Sequence, residues 1–592
     1  MLKKFLLNAL SSFVGAWVAF SLFGIAALIV IISITVNVSG TTEVEKVKKH
    51  SVAVLDLNGS IIEMKEAGRP DYMSLLQGDF DQPQSLAEIV NGLKEASENK
   101  NIEALYIKCG YAVAAPATMH AIRDAVKEFK KSGKKIYAYA DNYTLGSYFV
   151  ASVADKIILN PYGEVAIQGI GSTSLFMKGL YDKLGIEFQV VKVGTFKSAV
   201  EPYISTEMSG PARAQLDTLY GAMWAFMKDE IVLNRKKLSS QKIDSLVNDG
   251  LMFSTAEKAK MAGFVDEIAY ERTIDGTIAD LLGVDKKKVN YVSMTTLAAN
   301  KVQNNYSSKN QIAVLYATGE IADGAPEGIN FQKLVPLIVE LADDEKVKGL
   351  VLRVNSPGGS AYGSDQIGEA LDYFKSKNKP LSVSMGDYAA SGGYWISCGA
   401  DKIYADPLTI TGSIGIFGLI PNGKGLIDKL GINPQTVSTN PESNFPSFTA
   451  PMTSSQLAIM QEYVERGYDR FITRVSNGRK MKPEQVRGIA EGRVWNAMKA
   501  KEIGLVDSIG SLEDAIEWTA KKCGLEGKYD VATYPMFEPG IWDLLMNGEF
   551  ATKLLGESMT NDYKEFATYM AKRIFSRSRI QARMPEVEVF IR

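Results

Sequence analysis

Histidine is almost missing from this chain. Among 592 residues there are two, His50 and His120. His50 follows an apolar N-terminal stretch, and His120 sits in Ala-Thr-Met-His-Ala-Ile-Arg, which reads as an ordinary helix. A Ser-His-Asp triad therefore has almost nothing to draw on, and any nucleophilic serine needs another base. Cysteine is nearly as scarce. Cys109, Cys398 and Cys523 form an odd, scattered set, which excludes a disulfide framework and gives no zinc-ligand spacing. They are expected to be small buried side chains. Net charge is also small, at -2, so no bulk electrostatic case exists for nucleic acid. No motif for a metal or another cofactor stands out.

What is present is an ordinary globular composition, 46% apolar and 23% charged, in a chain long enough for several domains. One apolar run departs from it. Lys3 and Lys4 precede residues 5–42, which carry no charge, and 13–36 is the most apolar part. As a helix that part would span about 36 Å, enough for a bilayer core. A cleaved signal peptide would have a shorter apolar region, about 7–15 residues, and a small-residue exit. Val36-Asn37-Val38-Ser39-Gly40 is a poor cleavage site. The expectation is an uncleaved transmembrane anchor. Lys3 and Lys4 favour a cytoplasmic N-terminus, a bias weakened by Lys46, Lys48 and Lys49.

The rest of the chain contains a duplication. Residues 141–157 read DNYTLGSYFVASVADKI, and 387–403 read DYAASGGYWISCGADKI. Asp141 meets Asp387, Gly146 meets Gly392, Tyr148 meets Tyr394, and Asp155-Lys156-Ile157 meets Asp401-Lys402-Ile403, all at an offset of 246. The offset persists from Gly179-Leu180 to Gly425-Leu426. A period this long makes each copy a whole domain. In copy two, strands are expected at 312–316, 349–354 and 381–385. Helices are expected at 331–341, 364–375, from about 391, at 454–475 and at 512–522. Alternating strands and helices imply an α/β fold with a largely parallel sheet. The segments read as 1–12 N-terminus, 13–36 anchor, 37–50 linker, 51–300 first repeat, 301–535 second repeat, and 536–592 a helical tail with a closing strand near 587–591.

The two copies differ where chemistry would sit. Strand 381–385 leads into Asp387-Tyr-Ala-Ala-Ser391-Gly392-Gly393. A serine at a helix N-terminus has partial positive charge beside it, useful to a developing oxyanion. The bland alternative is a helix-capping serine. Strand 349–354 runs into Ser356-Pro357-Gly358-Gly359, where tandem glycines can turn backbone N–H groups inward. The alternative there is a plain turn. Copy one has Leu145 opposite Ser391, and Val113 and Ala114 opposite Gly358 and Gly359, so it lacks serine and glycines together. Conversely, Lys197 in Val-Gly-Thr-Phe-Lys-Ser-Ala-Val-Glu-Pro falls opposite Ser443. Lysine deprotonates serine only when neutral, so its pKa must fall well below about 10.4. Gly194 supplies a turn before it, and Pro202 is expected to stop a helix. Lys178 and Lys192 compete with it on local grounds. Asp387, Tyr394 and Asp401-Lys402 occur in both copies and read as structural.

Asn-Ser-Pro-Gly-Gly-Ser at 355–360, Gly-Asp-Tyr-Ala-Ala-Ser-Gly-Gly-Tyr-Trp at 386–395, Thr-Gly-Ser-Ile-Gly at 411–415 and the Lys197 segment occur together in this order. The combination resembles the signal peptide peptidase A (protease IV) family in its long, tandem-repeat form. The resemblance implies two crotonase/Clp-protease-like repeats and a membrane-anchored bacterial serine endopeptidase. Ser391 would be its nucleophile, Lys197 its general base, and Gly358, Gly359 and Gly392 its oxyanion site. Ser413 would orient the lysine amine, and the residue opposite it in copy one is Ile167. It further implies a homotetramer on the outer side of the cytoplasmic membrane, acting on cleaved signal peptides without a cofactor. Two alternatives stay open on the residues alone: a crotonase-type enzyme acting on coenzyme A thioesters, and a catalytically silent membrane scaffold.

Overall fold

The structure, a computed structural model, describes residues 47–64, 83–301, 307–324, 328–535 and 580–583. The expected anchor at 13–36 and closing strand at 587–591 lie outside them. Among the described residues no helix is long and apolar enough to cross a membrane. The chain divides into two compact units. One of them, Met1–Val47, Glu66–Asp81 and Met536–Thr560, falls almost wholly outside the described residues. The other, Lys48–Lys65, Gln82–Pro535 and Asn561–Arg592, holds every element below.

Copy one supplies β1 (Ser51–Ile62), β2 (Ile102–Val113), β3 (Lys135–Ala140), β4 (Lys156–Leu159), β5 (Glu187–Val193), β6 (Glu267–Ile268) and β7 (Asn290–Ser293). Copy two supplies β8 (Gln311–Thr318), β9 (Ile321–Ala322), β10 (Ile329–Asn330), β11 (Val347–Ser356) and β12 (Gly358–Ser360). It continues with β13 (Leu381–Ala390), β14 (Lys402–Ala405), β15 (Ile410–Gly412), β16 (Ile416–Asn422), β17 (Val494–Asn496), β18 (Ser508–Ile509) and β19 (Asp530–Tyr534). The tail adds β20 (Ile580–Arg583). The first sheet runs β7-β1-β2-β3-β4-β6, all parallel. The second contains the matching path β19-β8-β11-β13-β14-β18, again all parallel. The duplication is thus a duplication of strand order. Both sheets are covered by helices, so strands such as β8 and β11 are buried almost throughout, as parallel strands usually are.

Several shared residues do the same structural work in both copies. The Tyr394 hydroxyl donates to Leu505 O and the Tyr148 hydroxyl to Phe264 O, each at 2.8 Å. The Asp401 carboxylate accepts from Leu381 N and that of Asp155 from Ile136 N, each at 2.9 Å. The helices expected in copy two are found at Phe331–Asp343, Ala361–Ser376, Gly392–Ser397, Ser454–Arg479 and Leu512–Lys522.

A third sheet joins the copies. Its order is β10-β9-β12-β20-β16-β5, with β5 of copy one antiparallel to β16 of copy two along Glu187–Val193. Val191 of β5 is buried in the same apolar core as Leu350, Leu352 and Trp395 of copy two. Burying such a side chain stabilises the junction by about 1.5–3 kcal/mol. Polar contacts reinforce it. Asp387 accepts from Thr118 N and its hydroxyl, both at 2.8 Å, at the start of the Pro116–Lys130 helix. His120 on that helix lies 2.6 Å from Asp406. Glu63, at the end of copy one's first strand, forms a buried ion pair with Arg353 of β11.

Candidate active site

Ser391 follows β13 and precedes the Gly392–Ser397 helix. Its backbone is at φ 56°, ψ -116°, a region that costs a non-glycine residue about 1–3 kcal/mol. The surroundings hold it there. Ser391 N donates to Gly412 O at 2.8 Å, and Ser391 O accepts from Trp395 N at 2.9 Å. Trp395 stacks on Phe471 of the long Ser454–Arg479 helix, with centroids 4.5 Å apart, which fixes the short helix against the core. The sharp turn also needs Gly393, where a Cβ would stand 2.6 Å from Ser356 O. Ser391 makes no side-chain cap on its helix, so the capping alternative fails. The cap of the Ala361–Ser376 helix is Ser360, whose hydroxyl accepts from Gly363 N.

Lys197 arrives from the other copy. Strand β5 ends at Val193, opposite Ile416, and Lys197 lies just past the Gly194 turn. That turn is docked on copy two. Thr195 donates to the Glu491 carboxylate through its N–H and hydroxyl, and Phe196 N donates to Glu491 O. A Cβ on Gly492 would lie 2.7 Å from the backbone N and the Cβ of Lys197, so only glycine lets the segments meet. Pro202 does not stop a helix, as the sequence suggests. It lies in the first turn of the Glu201–Ile204 helix, where its missing N–H costs nothing.

The lysine amine stands 2.7 Å from Ser391 Oγ, 3.0 Å from Ser413 O and 3.1 Å from Ser413 Oγ. Lys197, Ser391 and Ser413 are fully buried. Burial pushes the Lys197 pKa well below its ordinary value. A neutral amine has two N–H donors and one lone pair. Ser413 offers two acceptors, its carbonyl and its hydroxyl, which leaves the lone pair to take the Ser391 proton. Lys178 pairs with Asp182 on the surface, and Lys192 lies in β5 before the turn, so neither competes.

Gly358 and Gly359 form β12 beside β9, at φ 104° and 147°. At Gly359 a Cβ would stand 2.1 Å from Ile321 O, so the position excludes any side chain. The Gly358 N–H donates to Ser356 Oγ at 3.2 Å, so a substrate oxygen would have to replace that hydroxyl. Gly392 begins the helix after Ser391.

The Peptidase family S49 model matches residues 128–285 and 373–526, once in each copy. The chain belongs to peptidase family S49. Protease 4 of Salmonella typhi is 34% identical over 543 residues, covering 89% of this chain and 87% of that protein. Protease 4 of Haemophilus influenzae is 34% identical over 512 residues, covering 83% and 81%. The chloroplastic serine protease SPPA of Arabidopsis thaliana is 26% identical over 501 residues, covering 81% and 70%. A ClpP1 mutant from Listeria monocytogenes aligns with 34% of this chain and 94% of its own at 15% identity, with a TM-score of 0.24, too low to bear on the fold.

This S49 chain is a serine peptidase of α/β fold with two family repeats. The site also rests on contacts that the sequence did not show, some of them made by the shared Asp387. Asp387 accepts from Asn355 Nδ2 at 3.0 Å, and Asn355 Oδ1 accepts from Tyr388 N at 3.0 Å. One carboxylate thus ties the strand before Ser391, the strand before Gly358 and the Thr118 turn of copy one. Asp141, its counterpart, instead accepts from Tyr139 and Asn160 within copy one. The shared aspartate hid this difference. Glu491 and Gly492 gave no motif, because their use depends on a partner almost three hundred residues away.

Proposed function

We propose that this S49 peptidase hydrolyses peptide bonds with Ser391 as nucleophile and Lys197 as base, and that its substrates are cleaved signal peptides. The observation that carries the reading is the 2.7 Å contact between Lys197 Nζ and Ser391 Oγ, both fully buried. The Lys197 lone pair takes the hydroxyl proton while Ser391 Oγ bonds to the substrate carbonyl carbon. The oxyanion is met by N–H groups of the Gly358-Gly359 strand and by the positive end of the helix that begins at Gly392. Lys197 returns the proton to the leaving nitrogen as the C–N bond breaks. Water, deprotonated by the same amine, then adds to the acyl carbon, and Lys197 passes that proton to Ser391 Oγ as its bond to the acyl carbon breaks. Ser413 holds the amine in orientation throughout.

The substrate class is supported by the relatives' names, which include a putative signal peptide peptidase SppA of Enterococcus faecium, 36% identical over 222 residues. The apolar run at 13–36 supports a single membrane anchor, and Lys3 and Lys4 support a body outside the cytoplasm. A homotetramer of crotonase/Clp-like repeats completes the reading and rests on the motif resemblance. Turnover of a synthetic signal peptide by the detergent-solubilised full chain, followed by mass spectrometry, tests it. Ser391→Ala and Lys197→Ala should each abolish cleavage; near-normal turnover in either sinks the dyad.

A further inference from the structure

Arg493 is an arginine without a carboxylate. Among the described residues its guanidinium enters no ion pair and no hydrogen bond. It bridges two rings instead. Its Cζ lies 4.9 Å from the ring centroid of Phe196, the residue before Lys197, and 4.3 Å from that of Trp495 in β17. A planar cation is suited to stacking on ring faces in this way. Trp495 is fixed in turn. Its Nε1 donates to Ile489 O at 3.1 Å, and it stands opposite Thr411 where β17 pairs with β15. Val494 N donates to Gln215 Oε1 at 2.9 Å, on the Gly210–Asn234 helix of copy one.

The main chain of Arg493 reaches the other side of the lysine amine. Arg493 O accepts from Ser413 N at 2.7 Å, and Gly492 N donates to Ile414 O at 2.8 Å. One residue thus holds Ser413 with its carbonyl and the neighbour of Lys197 with its side chain. The Lys197 amine spends its N–H groups on the two Ser413 oxygens, so a shift between the Lys197 turn and Ser413 swings the lone pair away from Ser391. The duplication supplies a control. Gly263-Phe264-Val265-Asp266 matches Gly504-Leu505-Val506-Asp507 at an offset of 241, and the tyrosine contacts to Phe264 O and Leu505 O mark the same position in both copies. Arg493 then falls opposite Met252, and Trp495 opposite Ser254. Copy one, with Ile167 in place of Ser413, lacks the clamp as well.

We propose that Arg493 is a positioning residue for the dyad, a stacked cation that fixes the Lys197 turn against Ser413. This rests on the reading of Lys197 as the base. The guanidinium lines an open cavity of about 440 Å³ with Leu219 and Met498, so a small cation can enter once the side chain is truncated. In the detergent-solubilised full chain, Arg493→Ala should lower kcat for a fluorogenic peptide at least about tenfold with KM nearly unchanged, because small misplacements of reacting groups are costly. Guanidinium chloride at millimolar, non-denaturing concentration should restore kcat about fivefold or more, whereas urea, flat but neutral, should not. Arg493→Met, which installs copy one's residue and fills the slot, should show the loss without the rescue. Wild-type kcat in either variant overturns the proposal. So does a loss in Arg493→Ala that neither agent relieves, or that both relieve alike, because a general fold defect would behave in that way. A loss that vanishes at high pH also overturns it, since the guanidinium would then act through charge rather than position. Lys197→Ala separates the two readings. Turnover there sinks the dyad and the proposal with it, whereas a silent Lys197→Ala beside an unaffected Arg493→Ala sinks the proposal alone.

Discussion

Removing the Ser413 hydroxyl tests how the amine is aimed. Lys197 Nζ has two acceptors on Ser413, the carbonyl at 3.0 Å and Oγ at 3.1 Å, within a fully buried site. Deleting Oγ leaves one buried N–H without its partner, which costs about 1–3 kcal/mol. If that penalty falls on the state in which the lone pair faces Ser391, kcat drops about 5- to 150-fold, at 1.36 kcal/mol per factor of ten. KM should change little, because the hydroxyl serves the lysine rather than the substrate. Ser413 has φ 52°, so the backbone needs a control. Ser413→Ala keeps the strain and Ser413→Gly relieves it, yet both remove Oγ. Steady-state cleavage of a fluorogenic peptide by the two variants should show the same loss in kcat. Wild-type kcat in both would refute the aiming role. So would a loss as complete as that of Lys197→Ala, because the Ser413 carbonyl remains.

Three further outcomes follow from the same geometry. Burial lowers the Lys197 pKa, so the competent neutral amine gains population as pH rises; kcat/KM should climb with unit slope on its acidic limb, with a midpoint well below lysine's ordinary value of about 10.4. A flat profile, or a midpoint at that ordinary value, would contradict a buried base. Gly359→Ala sets a Cβ 2.1 Å from Ile321 O at φ 147°, and should cost about 1–3 kcal/mol of stability from strain alone and abolish turnover; circular dichroism melts and peptide cleavage check both. His120 is desolvated, yet its pKa is raised because the Asp406 carboxylate outweighs that burial. Its stabilising contribution is therefore complete below the unfolded value of about 6.5 and is lost as pH rises through the higher folded value. The thermal midpoint difference between wild type and His120→Gln should shrink from pH 5.5 to 8.5, and a constant difference would show that Asp406 does not set the charge.

The sheet architecture was legible because each parallel strand is a short, almost continuous apolar run with an amphipathic helix after it. Residues 312–316 sit inside β8 and 381–385 inside β13, with edges extended by a few residues. Ser391 stood out for another reason, the offset of 246 that exposes what each copy lacks, whereas the family resemblance was needed to single out Lys197 among nearby lysines and to add Ser413. The crossing of β5 into the second copy's sheet was not legible. Seven residues pair with a strand more than two hundred positions away, and nothing in Glu187–Val193 states which copy will receive it. The Glu63–Arg353 pair and the Thr118–Asp387 contact were hidden for the same reason. Local sequence encodes the propensity to be a strand or a cap, whereas the partner is chosen by tertiary packing.

These hidden contacts explain how Lys197 and Ser391, on different copies, can be held within hydrogen-bond reach. A misplacement near 1 Å can cost about a hundredfold in rate, so the copies cannot merely touch. Lys197 follows β5, which is hydrogen-bonded along its length to β16, and Ser413 lies just before that strand. Lys197 and Ser413 are therefore held on one paired ladder. Ser391 follows β13, which Asp387 fastens to copy one through Thr118 and, through Asn355, to β11 just before the glycine strand. Each half-site is thus anchored to the opposite copy as well as its own. Loss of reactive residues from either copy then has little structural consequence, because strand order, the Tyr148 and Tyr394 contacts and the shared aspartates hold the fold. The duplication could divide the chemistry because the sheets keep their architecture without it.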